Sequence, residues 1–415
     1  MRILFVAAPI TGHTLPLVPL AWAARVAGHD ILFVTGGETI PFVVHAGLAA
    51  IEVVETANIM SECAKYATER YTPQAGRFTV PPLSSLENAN ILAKREEWSS
   101  THTFFEEFKV DELHHPLALF FGYIGERAID PIVRIARAWE AQAIIYEPCM
   151  VVGLVAAKAV GIPAFCHGLG VFHPWAIPAM PAMSESRKRY GLTDTVWEPV
   201  VNIDVCPESI KSNCLNSSWP MRYTPYNNEA VLPAWLIESH SRRPRVCVTV
   251  GTTVPVLGSM EPLDIIIDAL SRCDVDVIVL GAEGTIWKPL SDNIRAAGWL
   301  PLNAVLPTCS AIIHHGGAGT TFTALVAGVP QLVLPQFADQ PINAAAVASR
   351  GVGIYLPESE TDASSVRDTL SRLLNDTAIS QAATEVREEI AAMPSPSEVI
   401  NRLTTAISIH AAKKF

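Results

Sequence analysis

What most constrains the fold of this 415-residue chain is a rhythm of short, unbroken apolar runs, each followed by a helix-like segment. RILFVAA (2–8), DILFVTG (30–36) and AAIEVVE (49–55) open the series, and LPLVPLAWAARVA (15–27) reads as a helix closed by Gly28 at a C-cap position. An unbroken apolar run marks a strand buried on both faces, which requires helices on both sides of a parallel sheet. The βαβ order therefore predicts an α/β chain with a nucleotide-type parallel sheet. A helix at 126–140, the strand AQAIIYE (141–147), a helix at 149–160 and the strand IPAFCHG (162–168) continue it. Between 56 and 125 the pattern weakens into the loop-like RYTPQAGRFTVPPLSS and the irregular THTFFEEFKVDELHH. The Pro-rich VFHPWAIPAMPAM (171–183) interrupts it again.

PYNNEAVLPAWLIESHSRRP (225–244) carries turn formers without a period and predicts an interdomain linker. Beyond it the rhythm restarts. RVCVTVG, VDVIVLG, AIIHH and PQLVLPQ read as strands, LNAVLPTCS and TTFTALVAG as helices. Ser395, Pro396 and Glu398 form a capping-box signature that starts a helix at 396. The length exceeds what one core serves, and 49% hydrophobic residues supply two. The chain divides into an N-terminal domain (1–220), a linker (221–244), a second domain (245–395) and a C-terminal helix (396–415), with the active site in the cleft between the halves.

The net charge of −11 argues against nucleic acid or an anionic membrane as partner, because both need clustered Lys and Arg. No apolar run long enough to span a bilayer is free of Gly, Pro, His or charge. The opening MRILFVAAPITGH fits a buried first strand better than a signal peptide. Eight scattered cysteines without a C-x-x-C read as reduced thiols of a cytoplasmic protein.

Chemistry concentrates in three stretches. In AIIHHGGAGTTFTALVAGVP (311–330), Gly316, Gly317 and Gly319 remove Cβ atoms at a strand-to-helix turn, while Thr320 and Thr321 add hydroxyls to the first helical turn. Free N–H groups and a partial positive charge at a helix start favour a phosphate there. No Lys follows the glycines as in a P-loop, and Phe322 stands where a dinucleotide fingerprint has its third Gly. Glycines kept only for tight packing remain an alternative. A metal is not expected, since adjacent strand histidines face opposite sides and no partners sit at zinc spacing. Asp339 and Gln340 follow the strand QLVLPQ, where open α/β sheets bind ligands, and a carboxylate beside an amide suits sugar hydroxyls; a plain surface loop is the alternative. In PITGHTLPL, His13 follows the first strand at a position suited to a general base, or is a histidine satisfied within its loop. Glu147, at the end of AIIYE, would share that sheet edge and could orient the ring, with Glu106, Glu107, Asp111 and Glu112 as rivals.

The run from GWLPLNAVLPTCSAIIHHGGAGTTF through VLPQFADQPINA (298–344), followed by GVGIYLP, resembles the nucleotide-sugar region of GT-B fold, family 1 glycosyltransferases. The likeness is closest to actinobacterial enzymes that decorate polyketide, macrolide and enediyne antibiotics. It extends through GH…PLVPLAWAARVAGHD, YEP, MRYTPYNN…LPAWL and MPSPSEV. The resemblance implies two Rossmann-like domains facing a cleft, with the last helix crossing back to the first domain. It implies that Trp299 stacks on the base and Leu300 bonds its edge. His314 and Gly316, Gly317, Ala318, Gly319 and Thr320 would cradle the diphosphate with Gly251, Thr252 and Thr253, while Asp339 and Gln340 would hold the sugar. His13 matches the general base. Glu147 matches a strand-end carboxylate that is Asp in many members, so the extra methylene is a departure.

The implied activity is inverting, metal-independent transfer of a deoxysugar from a dTDP-sugar to a large hydrophobic aglycone, with no cofactor. Phe78, Phe104, Phe105 and Phe108 are candidate acceptor contacts, or core. A helper protein and a homodimer are further partners that the resemblance raises. The rivals are a catalytically idle homologue acting as an auxiliary protein and a nucleotide-sugar epimerase of the same fold.

Overall fold

Both series of apolar runs form parallel sheets. The computed structural model describes residues 1–37, 39–54, 116–171, 183–192, 198–211, 218–238, 242–257, 259–281 and 290–412. The first sheet holds β1 (Arg2–Val6), β2 (Asp30–Gly36), β3 (Ala50–Val54), β4 (Ala143–Tyr146), β5 (Ala164–His167), β6 (Val201–Asp204) and β7 (Ser218–Pro220). Their order is β3-β2-β1-β4-β5-β6-β7, every pair parallel. The second sheet holds β8 (Arg245–Thr249), β9 (Asp276–Leu280), β10 (Ile294–Ala296), β11 (Ala311–His314), β12 (Gln331–Val333) and β13 (Gly353–Tyr355), ordered β10-β9-β8-β11-β12-β13 and again all parallel. Leu4, Phe5, Val6, Ile144, Val246, Cys247 and Ile312 are wholly buried, as strands covered on both faces must be. The short β6, β7 and β10 escape the sequence reading because VNID, SWP and IRA carry no apolar run.

Two departures of helix boundaries from the sequence expectation bear on the site. The helix expected at 126–140 runs from Pro116 to Ala138; its buried face of Ile124, Ala128, Ile129 and Ile132 outweighs Pro131 in its interior. The helix expected from 149 starts at Val152, because the preceding turn folds back so that the Cys149 N–H reaches the Glu147 carboxylate.

The helix Pro396–Ala412 leaves the second half and packs on the helix Val18–Val26 of the first. Its start is the capping box: the Ser395 N–H donates to Glu398 Oε2 at 2.7 Å, and the Glu398 N–H to Ser395 Oγ at 3.3 Å. Thr404 Oγ1 meets His29 Nε2 at 3.1 Å, and the Arg402 guanidinium lies 4.3 Å above the Trp219 ring. One apolar cluster runs unbroken from Phe5, Leu20 and Phe165 to Phe322, Val386 and Leu403, so the halves share a core. The six described cysteines are free, and four of them are buried. Among the described residues no helix is long and apolar enough to cross a membrane.

Strand order is what positions the site. In each sheet the order reverses direction once, at β1/β4 in the first and at β8/β11 in the second. Loops diverge at such a switch point and leave a crevice beyond the carboxyl ends of the strands.

Candidate active site

The chain leaving β1 turns at once into the single helical turn Thr11–Thr14, so His13 stands on a short helix rather than in a loop. The chain leaving the neighbouring β4 begins with Glu147. Across the switch point His13 Nδ1 and Glu147 Oε2 are 3.1 Å apart, with the carboxylate fully buried and the imidazole partly open. Glu147 is held from two further sides: its Oε1 accepts the Ala8 N–H at 3.3 Å and its Oε2 the Cys149 N–H at 2.8 Å. The additional methylene relative to Asp does not prevent the pairing. Burial pulls the His13 pKa down, but the charge and hydrogen bond of Glu147, helped by Asp339, outweigh it and hold the imidazole above its ordinary value. The Phe121 ring packs against it, centroids 5.5 Å apart.

His13, Glu147 and Cys149 bring one potential metal-ligand atom each within 4.8 Å of one another, the one such group among the described residues. Their own hydrogen bonds account for the closeness. Burial and the Glu147 charge push the Cys149 thiol well up.

The turn after β11 departs from the expectation in an instructive way. His314, expected to face the diphosphate, is buried and spent: its Nε2 bonds Gln331 Oε1 at 2.9 Å, and its Nδ1 accepts the Gly316 N–H at 3.0 Å. It braces the turn from inside the sheet, and burial lowers its pKa to about 3. His315, one residue past the strand, is the histidine that lines the cleft. Its pKa is lowered to about 4, again by burial, so it is neutral at pH 7.

The glycines have separate jobs. A Cβ on Gly317 would lie 2.4 Å from His315 Nε2, and one on Gly251 2.4 Å from His315 Cε1, so both make room for that ring. Gly316, at φ +90, would strike Gln340 O and Val333 at 2.9 Å; its bareness serves packing between two loops, not an anion. Of the turn's three glycines, Gly319 alone would carry a Cβ into open space, its nearest neighbour being Tyr223 Oη at 3.9 Å. The Thr321 hydroxyl, expected to add a donor, instead donates back to Gly317 O at 3.1 Å, while Thr320 lines the cleft. Gly317 caps the helix Ala318–Ala327, whose first N–H groups border the cleft.

Asp339 and Gln340 start the helix Gln340–Arg350 on the same side. Burial raises the Asp339 pKa, opposed by a hydrogen bond from Asn343 and by the His13 charge. Gln340 Oε1 accepts the Gln336 N–H at 2.9 Å and the Phe337 N–H at 3.3 Å, which leaves the amide N–H groups rather than the oxygen for a ligand. Ala338, at φ +57, is one of three described non-glycine residues with positive φ and sits immediately before Asp339.

These groups share one cavity of about 990 Å³. His13 stands on one wall; Gly251, Thr252, Thr253, Trp299, Leu300, His315, Gly317, Ala318, Gly319, Thr320, Asp339 and Gln340 stand on the others. His314 and Gly316 do not border it. Trp299 is 38% exposed and meets Phe42 of the first half, ring centroids 6.0 Å apart. The wall beside His13 is apolar: Ile10, Phe120, Phe121, Leu169 and Val171. Sequence reasoning missed that wall because the aromatic pair Phe120–Phe121 lies in a stretch read as patternless. The expected acceptor residues Phe78, Phe104, Phe105 and Phe108, and the rival carboxylates Glu106, Glu107, Asp111 and Glu112, lie outside the described residues.

Comparison with known proteins gives one picture along the whole chain. The N-terminal domain of the erythromycin biosynthesis protein CIII-like family matches residues 22–251, and its C-terminal domain residues 264–406. The elloramycin glycosyltransferase ElmGT of Streptomyces olivaceus is 33% identical, over 99% of this chain and 98% of its own. The L-demethylnoviosyl transferase of Streptomyces niveus is 31% identical over 97% of each chain. Among solved structures the spinosyn rhamnosyltransferase SpnG superposes with a TM-score of 0.77 at 28% identity, over 97% of this chain and 100% of its own. It has been solved with thymidine diphosphate and with spinosyn aglycone.

Proposed function

The chain belongs to the erythromycin biosynthesis protein CIII-like family and is a GT-B glycosyltransferase of antibiotic biosynthesis; from that premise we propose an inverting transfer of a deoxysugar from a dTDP-sugar to a hydroxyl of a large apolar aglycone. The observation that carries the reading is the His13–Glu147 pair opening onto the cavity that the His315–Thr320 turn also lines.

Nδ1 of His13 is taken by Glu147, so the other ring nitrogen receives the acceptor hydroxyl proton. The buried carboxylate stabilises the imidazolium that forms. The hydroxyl oxygen bonds to the anomeric carbon from the face opposite the diphosphate, and the sugar–phosphate C–O bond breaks. Its electron pair leaves on dTDP, whose growing charge is met by the N–H groups of the Ala318–Ala327 helix start and the Thr320 hydroxyl. These fixed dipoles supply what a divalent ion would otherwise give, hence a metal-independent reaction. Asp339 and Gln340 sit where the sugar hydroxyls would lie, with Trp299 and Leu300 at the base. The apolar wall beside His13 supports a hydrophobic acceptor, which a nucleotide-sugar epimerase would not need. The names of the relatives, a deoxy-L-fucose transferase and a desosaminyltransferase among them, support a deoxysugar donor.

The test is a mass-spectrometric screen of dTDP- and UDP-sugars against polyketide aglycones, each with and without EDTA. Glycosylated product from dTDP-deoxysugars, undiminished by EDTA and of inverted anomeric configuration, is the expected result. A UDP-sugar preference, a metal requirement or retained configuration would each overturn the corresponding part.

A further inference from the structure

Asn343, on the helix Gln340–Arg350, has no part in the mechanism above, yet its amide joins the two donor-binding loops. Nδ2 donates to Gly316 O at 2.8 Å and to Asp339 Oδ2 at 2.8 Å. Both partners accept, so the amide has one orientation only: turned over, its oxygen would face two oxygens. Oδ1 is thereby aimed at Gly170 in the first half, 3.8 Å from where a Cβ there would stand. The residue is 1% exposed, and Oδ1 has no hydrogen-bond partner among the described residues. An empty buried acceptor is unfavourable by itself, so the two N–H bonds are what hold the side chain in this pose. The contact they secure is tight: Gly316 O belongs to the turn that touches Gln340, and Gly170 brings the first half to within 3.0 Å, measured from its would-be Cβ, of Ala318 Cβ.

We propose that Asn343 is a positioning residue for the donor, fixing the Asp339 carboxylate to the diphosphate turn so that sugar and diphosphate are gripped as one unit. The inference rests on the donor-site reading of the cavity. Without the amide, Asp339 keeps its charge and the backbone N–H bonds from its own residue and Ala318, but its Oδ2 loses the side-chain bond that turns it toward a sugar hydroxyl. The effect falls on the sugar increment, the ratio of the dTDP Kd to the dTDP-sugar Kd, from which any general disturbance of the turn cancels.

Calorimetry with dTDP and dTDP-L-rhamnose on wild type, Asn343→Ala, Asp339→Ala and the double variant tests it. In wild type the sugar tightens binding, and Asn343→Ala lowers that ratio about tenfold. In the Asp339→Ala background the same change lowers it less than about twofold, because Asn343 acts through Asp339. Asn343→Asp, nearly isosteric, guards against a folding artefact. It sets a second carboxylate against the Asp339 carboxylate, so the increment is lost at pH 8 and partly returns at pH 6, where a shared proton takes the place of an N–H. An unchanged ratio in Asn343→Ala, equal losses in both backgrounds, or an Asn343→Asp variant indifferent to pH would overturn the proposal. A wild type that binds dTDP but gains nothing from the sugar refutes the sugar-site reading. One that binds neither ligand refutes the whole donor site, and either result takes this inference with it.

Discussion

Glu147→Gln is the sharpest probe of the base. The amide is isosteric, but it cannot satisfy all three donors that the carboxylate now accepts from Ala8, Cys149 and His13. With its oxygen kept toward His13 and Cys149, its NH₂ faces the Ala8 N–H, a buried donor-to-donor contact costing about 1–3 kcal/mol. The chemical effect is larger. Glu147 is the main influence holding the His13 pKa up against burial, so without it burial prevails and the pKa falls below 6.5. The imidazolium that must form at the transition state then keeps only the weaker influence of Asp339. A base of this kind contributes roughly 10²–10⁴-fold, and kcat should fall within that range. dTDP affinity should stay within about twofold, because no donor contact changes. The pH profile carries the sign: the base works deprotonated, so the acidic limb of wild-type kcat/KM lies above pH 6.5 and moves below it in the variant. Initial rates by chromatography across pH 5.5–9, with calorimetry of dTDP, supply both readouts. A kcat within about threefold of wild type, or an unmoved limb, would refute the pairing as the source of basicity.

Gly317→Ala leaves an allowed backbone (φ −61) but puts a methyl 2.4 Å from His315 Nε2; displacing that ring should weaken dTDP about tenfold in calorimetry and cost about 1–3 kcal/mol of stability in thermal unfolding. Trp299→Ala should reduce dTDP binding by roughly 1–3 kcal/mol, the usual worth of a base–aromatic stack, and an unchanged Kd removes the indole from the site. His314 and His315 are neutral in the fold, with pKa values lowered to about 3 and about 4, so the unfolded chain binds more protons between those values and 6.5. Stability should therefore fall as pH drops, by about 4 kcal/mol for the pair at pH 5. His13 shifts the other way, with its window above pH 6.5. A flat Tm between pH 7 and 5 would contradict the assignment.

The sequence by itself determined the apolar strands, the helices between them and the edge of each sheet at which chemistry gathers. Short apolar runs between turn signals mark strands covered on both faces, and His13, Glu147 and Asp339 lie just beyond the carboxyl ends of three such runs. It could not say that β1 and β4 are neighbours; that order makes a hydrogen bond between residues 134 positions apart. Nor could it choose between His314 and His315. Alternation says that adjacent side chains diverge, not which one meets the cleft. That was decided by Gln331 on the neighbouring β12, which offers His314 a buried partner, and by Gly251 beyond β8, which leaves His315 a slot. The glycines of the turn look alike in sequence, yet one yields to a helix start, one to a ring and one to open space. Periodicity is local and survives in the sequence, whereas these choices depend on which strands lie side by side, and only the folded register supplies that.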